Sequence, residues 1–139
     1  MLDIVCDIHY NVINNKTQEV DGLEKDEILN SQLMELRRGT LVLCVLSQLH
    51  EPMYGYHLVK KLSQKGVQIE ANTLYPLLRR LQSQGLLKSS WDTGESKPRK
   101  YYTTTNLGKE IAAALWEQWR ALAASMEQLW EENENYDTK

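Results

Sequence analysis

Apolar positions recur at helical spacing along most of this chain. Over residues 33–49 they occupy nearly every side of the predicted helix in its second half, which indicates burial against more than one neighbour. A second amphipathic helix is predicted over residues 54–64, with Leu58 and Leu62 turned inward, and it ends before Gly66. A third helix, over about residues 70–84, carries one apolar stripe with i, i+3, i+4, i+7 spacing. That stripe consists of Leu74, Leu77, Leu78 and Leu81.

Two short β-capable stretches follow the third helix. They cover residues 86–91 and 99–105, and the segment between them is dense in turn-forming residues. This pattern predicts a hairpin in which Tyr101 and Tyr102 point to opposite sides, because side chains alternate along a strand. Three helices and a hairpin together predict a mainly α fold, a winged helix-turn-helix with a two-stranded β-hairpin wing.

The last helix is predicted to begin near Thr105 and to continue to about Glu132. Its roughly 28 residues would extend about 40 Å, beyond what three short helices can cover. Small and apolar residues alternate along it in steps of four and three, as in helices that pair with another helix. Packing on the chain's own first helix would explain Ala112 and Leu115, but not Met126, Leu129 and Trp130 further out. We therefore predict a dimerisation helix with Leu115, Trp119, Leu122, Met126 and Leu129 at the interface.

These elements divide the chain into four predicted segments. Residues 1–32 form an N-terminal extension that is peripheral or partly disordered, and residues 33–105 form a winged helix DNA-binding domain. Residues 106–132 form the C-terminal dimerisation helix, and residues 133–139 a disordered tail. We expect the N-terminal extension to be dispensable for DNA binding; the alternatives are that it packs on the dimer or screens the basic face.

Charge is distributed unevenly along the chain, although the net charge is only -3. Residues 1–32 carry 2 basic and 7 acidic side chains, residues 33–110 carry 12 and 6, and residues 111–139 carry 2 and 6. The three segments therefore have net charges of -5, +6 and -4. A basic middle between acidic ends suits a module that contacts phosphates, although a charge excess can also be a solvated surface.

The polar face of the third helix is the candidate DNA-reading surface. It offers groups that can donate to phosphates and base edges, and no acidic residue occurs between Ala71 and Lys88. An ordinary solvated surface would normally include acidic side chains. The hairpin adds further cations that can approach a sugar-phosphate backbone. The candidates are Asn72, Thr73, Tyr75, Arg79 and Arg80 on the helix, with Lys97, Arg99 and Lys100 on the wing.

Other function classes receive little support from the sequence. It contains no Gly-rich phosphate loop and no nucleophile elbow, so neither an enzyme nor a cofactor is expected. The pair Cys6 and His9 has metal-ligand spacing, but two ligands fall short of the usual three or four, and no metal is expected. The longest apolar run, residues 41–46, is too short to span a membrane, and two cysteines are too few for a disulfide framework. We expect a cytoplasmic protein in which Cys44 is a structural free thiol.

Several motifs resemble those of the PadR family of bacterial transcriptional regulators, over about residues 34–130. They are Leu36-Arg-Arg-Gly-Thr-Leu41, Tyr54-Gly-Tyr56, Asn72-Thr-Leu-Tyr-Pro-Leu-Leu78, Arg80-Leu81, Gly85-Leu86 and Arg99-Lys-Tyr-Tyr102. The resemblance implies a homodimeric repressor that binds a pseudo-palindromic operator in double-stranded DNA. It implies that the third helix enters the major groove, that the wing contacts flanking phosphates, and that Tyr54 and Gly55 lie near the DNA backbone. The first 33 residues have no counterpart in the family pattern.

The C-terminal tryptophans suggest a small-molecule partner. The chain resembles the subgroup with a short C-terminal helix, which includes multidrug-responsive repressors. In that subgroup a tryptophan in the context of Glu117-Gln-Trp119 faces its symmetry mate and stacks on flat aromatic ligands. Trp116 and Trp119 are therefore candidate effector-binding residues for a planar aromatic compound. The alternative is that Trp119 only fills the dimer seam.

One alternative function uses the same fold. A winged helix can serve as a protein-interaction module that reads no operator. Salt dependence discriminates the two, because a protein that contacts several phosphates loses affinity steeply as salt rises.

Overall fold

The computed structural model describes residues 22–94 and 96–137. The chain divides into two compact units at Thr40. The described part of the first unit holds helix α1, Gly22–Arg38. The second unit contains α2 (Leu41–Gln48), β1 (Met53–Tyr54), α3 (Gly55–Gln64), α4 (Ala71–Ser83), β2 (Leu87–Asp92), β3 (Arg99–Thr104) and α5 (Asn106–Asp137).

The predicted first helix over residues 33–49 is in fact two helices. They are separated at Gly39 and Thr40, where the backbone N–H of Thr40 donates to the Arg37 carbonyl at 3.0 Å and its hydroxyl donates to the same oxygen at 2.8 Å. Glycine also has a low helix propensity, which favours a break here. The helix before the break begins at Gly22, so residues 22–32 of the extension predicted to be peripheral or partly disordered are helical.

The second unit is built on one apolar core. The four leucines of the α4 stripe are buried, as predicted, and so are Leu58 and Leu62 of α3. Cys44 packs against this core as a free thiol, and burial raises its pKa. The largest fully buried side chains are Val45, Leu49, Leu58, Leu74, Leu78 and Leu81.

The wing is part of a three-stranded antiparallel sheet with the order β1-β3-β2. The sequence predicted only the β2–β3 hairpin, because β1 has two residues and too little alternation to be recognised. Met53 pairs with Tyr102, and Leu87 pairs with Thr104. Tyr102 is buried whereas Tyr101 is half-buried, so the predicted alternation holds.

Hydrogen bonds join the base of the wing to the end of α2. The buried Thr104 hydroxyl donates to the Leu46 carbonyl at 3.0 Å, and the Thr104 backbone N–H donates to the Leu49 carbonyl at 2.7 Å. Thr105 then caps α5, since its hydroxyl accepts from the Gly108 backbone N–H at 3.0 Å. The wing, α2 and α5 are thereby held in one arrangement.

Helix α5 has 32 residues, which corresponds to about 48 Å. It ends at Asp137, so residues 133–137 of the tail predicted to be disordered are helical; no Gly or Pro interrupts this stretch. Ala112 and Leu115 pack against the core, so Leu115, which was predicted at the dimer interface, is partly covered within its own chain. The large apolar side chains further along are exposed. Within the described residues, no helix is long and apolar enough to cross a membrane.

Candidate nucleic-acid interface

Helix α4 presents two different faces. The four stripe leucines are buried in the core, and the opposite face is exposed. At about 100° per residue, Asn72 lies near the centre of the exposed face. Tyr75 and Arg79 then fall on one side of it, and Thr73 and Arg80 on the other.

A hydrogen bond to the wing identifies which side of α4 faces β2. Gln82 lies on the same side as Tyr75, and its amide donates to the Ser89 hydroxyl of β2 at 2.9 Å. Tyr75 and Arg79 are therefore the members of the exposed face closest to the wing.

An open cleft separates this side of α4 from the wing. It has a volume of about 440 Å³ and receives cations from both walls, Arg79 from α4 and Lys100 from β3. None of the described residues that line it carries a carboxylate. An open, cationic cleft of this kind suits a phosphate-bearing ligand. We call it the α4–wing cleft; its lining is Tyr54, Gly55, Tyr75, Arg79, Trp91, Pro98, Arg99, Lys100 and Tyr102.

Aromatic rings contact two of the three predicted wing cations, Arg99 and Lys100. The Nζ atom of Lys100 lies 5.3 Å from the ring centroid of Tyr102, and the guanidinium carbon of Arg99 lies 4.7 Å from that of Tyr54. Tyr54 in turn makes an edge contact with Tyr101, with a centroid separation of 5.7 Å. Such cation–π contacts hold both side chains beside the cleft.

Gly55 allows Tyr75 to occupy its position at the floor of the cleft. A Cβ atom on Gly55 would lie 2.6 Å from Cε1 of the Tyr75 ring and 2.8 Å from its hydroxyl oxygen. The phenol therefore packs directly on the backbone at the start of α3. Any larger residue at position 55 must displace the ring, since real carbon contacts do not become this short.

The structure brings together five of the nine predicted DNA-binding residues. Tyr54, Tyr75, Arg79, Arg99 and Lys100 line the α4–wing cleft. The other four are exposed outside its lining; they are Asn72, Thr73, Arg80 and Lys97.

Four residues of this cleft were not among the predicted DNA-binding residues; they are Gly55, Trp91, Pro98 and Tyr102. The resemblance implies that Gly55 lies near the DNA backbone, but its contact with Tyr75 gave no signal, because that contact joins two different helices. Trp91 could have been found, since strand alternation from the buried Leu87 places it on the same face.

The candidate effector residues lie on α5. Trp116 and Trp119 stack on each other within one chain, with ring centroids 5.3 Å apart and an interplanar angle of 14°. The indoles are 49% and 42% exposed, respectively. The pair Cys6 and His9, which has metal-ligand spacing, lies outside the described residues. Within the part of the chain that the structure describes, no cluster of three metal-ligating side chains occurs.

Three short helices, a β wing and an exposed basic helix face define a winged-helix DNA-binding protein. The sequence model of the PadR-like family of transcriptional regulators matches residues 42–114. This chain therefore belongs to the PadR-like family of transcriptional regulators, whose members bind DNA.

Individual relatives agree with the family match. The transcriptional regulator Rv3488 of Mycobacterium tuberculosis is 34% identical over 91 residues, which are 65% of this chain and 82% of that protein. A PadR family regulator from Eggerthella lenta is 56% identical with a TM-score of 0.75, and the match covers 79% of this chain and 98% of that one. A PadR family regulator from Clostridium difficile is 29% identical with a TM-score of 0.60, over 65% and 97%. These relatives are regulators of transcription rather than enzymes.

Proposed function

We propose that this protein is a cytoplasmic repressor that binds a pseudo-palindromic operator as a homodimer. The observation that carries the proposal is the exposed face of α4 beside the cationic α4–wing cleft. A winged helix with such a face inserts the helix into the major groove and lays the wing against the neighbouring backbone.

The proposed contacts divide into two classes. Asn72, Thr73, Tyr75 and Arg79 face base edges, where Asn suits adenine and Arg suits guanine. The remaining cations and Tyr54 contact phosphates, which position the protein without reading sequence. The phosphate-contacting residues are Tyr54, Arg80, Lys97, Arg99 and Lys100.

Dimerisation through α5 would place two copies of α4 on one duplex. Leu122, Met126 and Leu129 are 61%, 52% and 56% exposed in the single chain, and they continue the stripe that begins at Leu115 and Trp119. Exposed apolar residues at this spacing are buried when a second helix packs on them. The two reading helices should then meet successive major grooves about 34 Å apart.

Selection of bound sequences from a random DNA pool tests this function. We expect a recovered motif with two inverted half-sites separated by about one helical turn. Affinity for the selected duplex should fall with salt by about one unit of log–log slope per phosphate contact. If the selection enriches no motif and the affinity does not change with salt, the protein-interaction module is favoured instead. Repression itself is tested by transcription in vitro from a promoter that contains the selected motif.

A planar aromatic effector is the proposed regulatory ligand. The support is the pair of partly exposed, stacked indoles at Trp116 and Trp119, which offers a flat apolar surface. A compound bound there would shift the spacing of the reading helices and weaken DNA binding. Planar dyes should quench the fluorescence of wild type but not bind Trp119→Ala. Unchanged binding by that variant would assign Trp119 to packing alone.

A further inference from the structure

Trp91 extends the buried face of the wing into open solvent. Side chains alternate along β2, so Trp91 lies on the same face as the buried Leu87 and the half-buried Ser89. Ser89 accepts the hydrogen bond from Gln82 of α4. Two residues further along, the wing and α4 diverge, and Trp91 lines the α4–wing cleft with 63% of its surface exposed.

The surroundings of Trp91 combine an apolar ring with positive charge. Lys100 is its register partner on β3 and lines the same cleft. Arg79 approaches from the α4 wall. A flat apolar ring beside the Lys100 ammonium complements a chain in which apolar sugars alternate with phosphates.

The fold determines which part of the DNA would pass here, given the proposed function on which this inference rests. With α4 in the major groove and the wing beside it, the DNA strand that separates the major groove from the minor groove must run between α4 and the wing. We propose that Trp91 packs against a deoxyribose of that DNA strand, while Lys100 contacts a neighbouring phosphate and Arg79 extends from the α4 wall into the major groove. Trp91 is thus a sequence-independent DNA contact that carries no charge.

The test measures the affinities of wild type, Trp91→Ala and Trp91→Phe for the selected operator and for a random duplex of equal length, across a salt series. Trp91→Ala should weaken both complexes by about tenfold, because the apolar contact is lost on any sequence. Its salt slope should equal that of wild type, whereas Lys100→Ala should lower the slope by about one unit. Trp91→Phe should retain most of the affinity.

A matched control uses Tyr136→Ala, which removes another exposed aromatic ring, 83% exposed and outside the cleft lining. It should bind as wild type, and circular dichroism should be unchanged for every variant. Wild-type affinity of Trp91→Ala, a loss confined to the operator, or a reduced salt slope would each overturn the Trp91 contact alone. If the wild-type protein itself binds no duplex at low salt, the proposed function fails as well.

Discussion

Gly108 is the position at which one added methyl group should have the clearest effect on stability. It is the third residue of α5, where alanine in place of glycine normally stabilises a helix by about 1 kcal/mol. A Cβ atom there would overlap the Leu86 carbonyl oxygen and lie 2.6 Å from the Cγ2 atom of Thr104. Overpacking of this kind costs about 1–3 kcal/mol, and a backbone oxygen cannot move aside as a side chain can. The clash therefore exceeds the gain.

We expect Gly108→Ala to lower the free energy of unfolding by about 1–2 kcal/mol, the upper part of the overpacking range less the helix gain. For a chain of this size that corresponds to a fall in melting temperature of about 4–8 °C. Thermal unfolding should be compared at one protein concentration, because association changes apparent stability. Gly39→Ala is the control, since a Cβ atom there meets nothing within 4 Å. Equal melting temperatures for Gly108→Ala and wild type would refute the close packing of α5 on the wing.

Three further predictions follow from single contacts. Thr104→Val should lower the free energy of unfolding in urea by about 1–2 kcal/mol, because the Leu46 carbonyl loses a buried donor. Thr103→Val on the same strand is the control, and equal losses of stability in the two variants would contradict this hydrogen bond. Gly55→Ala should weaken DNA binding severalfold by displacing Tyr75, and this effect should vanish in a Tyr75→Ala background. If the losses of DNA affinity in the two single variants add in the double variant, the contact is contradicted. The raised pKa of Cys44 lowers its thiolate fraction at pH 8, so its alkylation should be slower than in the urea-unfolded chain, as followed by peptide mass spectrometry. Equal alkylation rates would contradict the burial of this thiol.

Periodicity predicted the helices that have a one-sided apolar stripe. The stripe of α4 and the inward leucines of α3 were predicted correctly, because the spacing of apolar residues within one helix identifies the face that it buries. The break at Gly39 was missed, because apolar composition on both sides of it imitates one continuous helix. Strand β1 was missed because a two-residue strand exists only through its pairing with β3.

The candidate site was predicted in part. Residue type and the lack of acidic neighbours selected the exposed face of α4 and the wing cations as DNA contacts. Strand alternation would have added Trp91 if it had been followed from Leu87. The support of Tyr75 by Gly55 had no signal in either segment, since neither residue is unusual within its own helix.

The residues alone determined the amphipathic helices α3 and α4, the wing hairpin and the placement of positive charge along the chain, because these depend on spacing and composition within single segments. The tertiary structure decided which segments meet. It brought Arg79 of α4 and Lys100 of β3 to one cleft and carried Trp91 past the end of the core. Those outcomes depend on strand register and helix packing between distant residues, which local patterns do not encode.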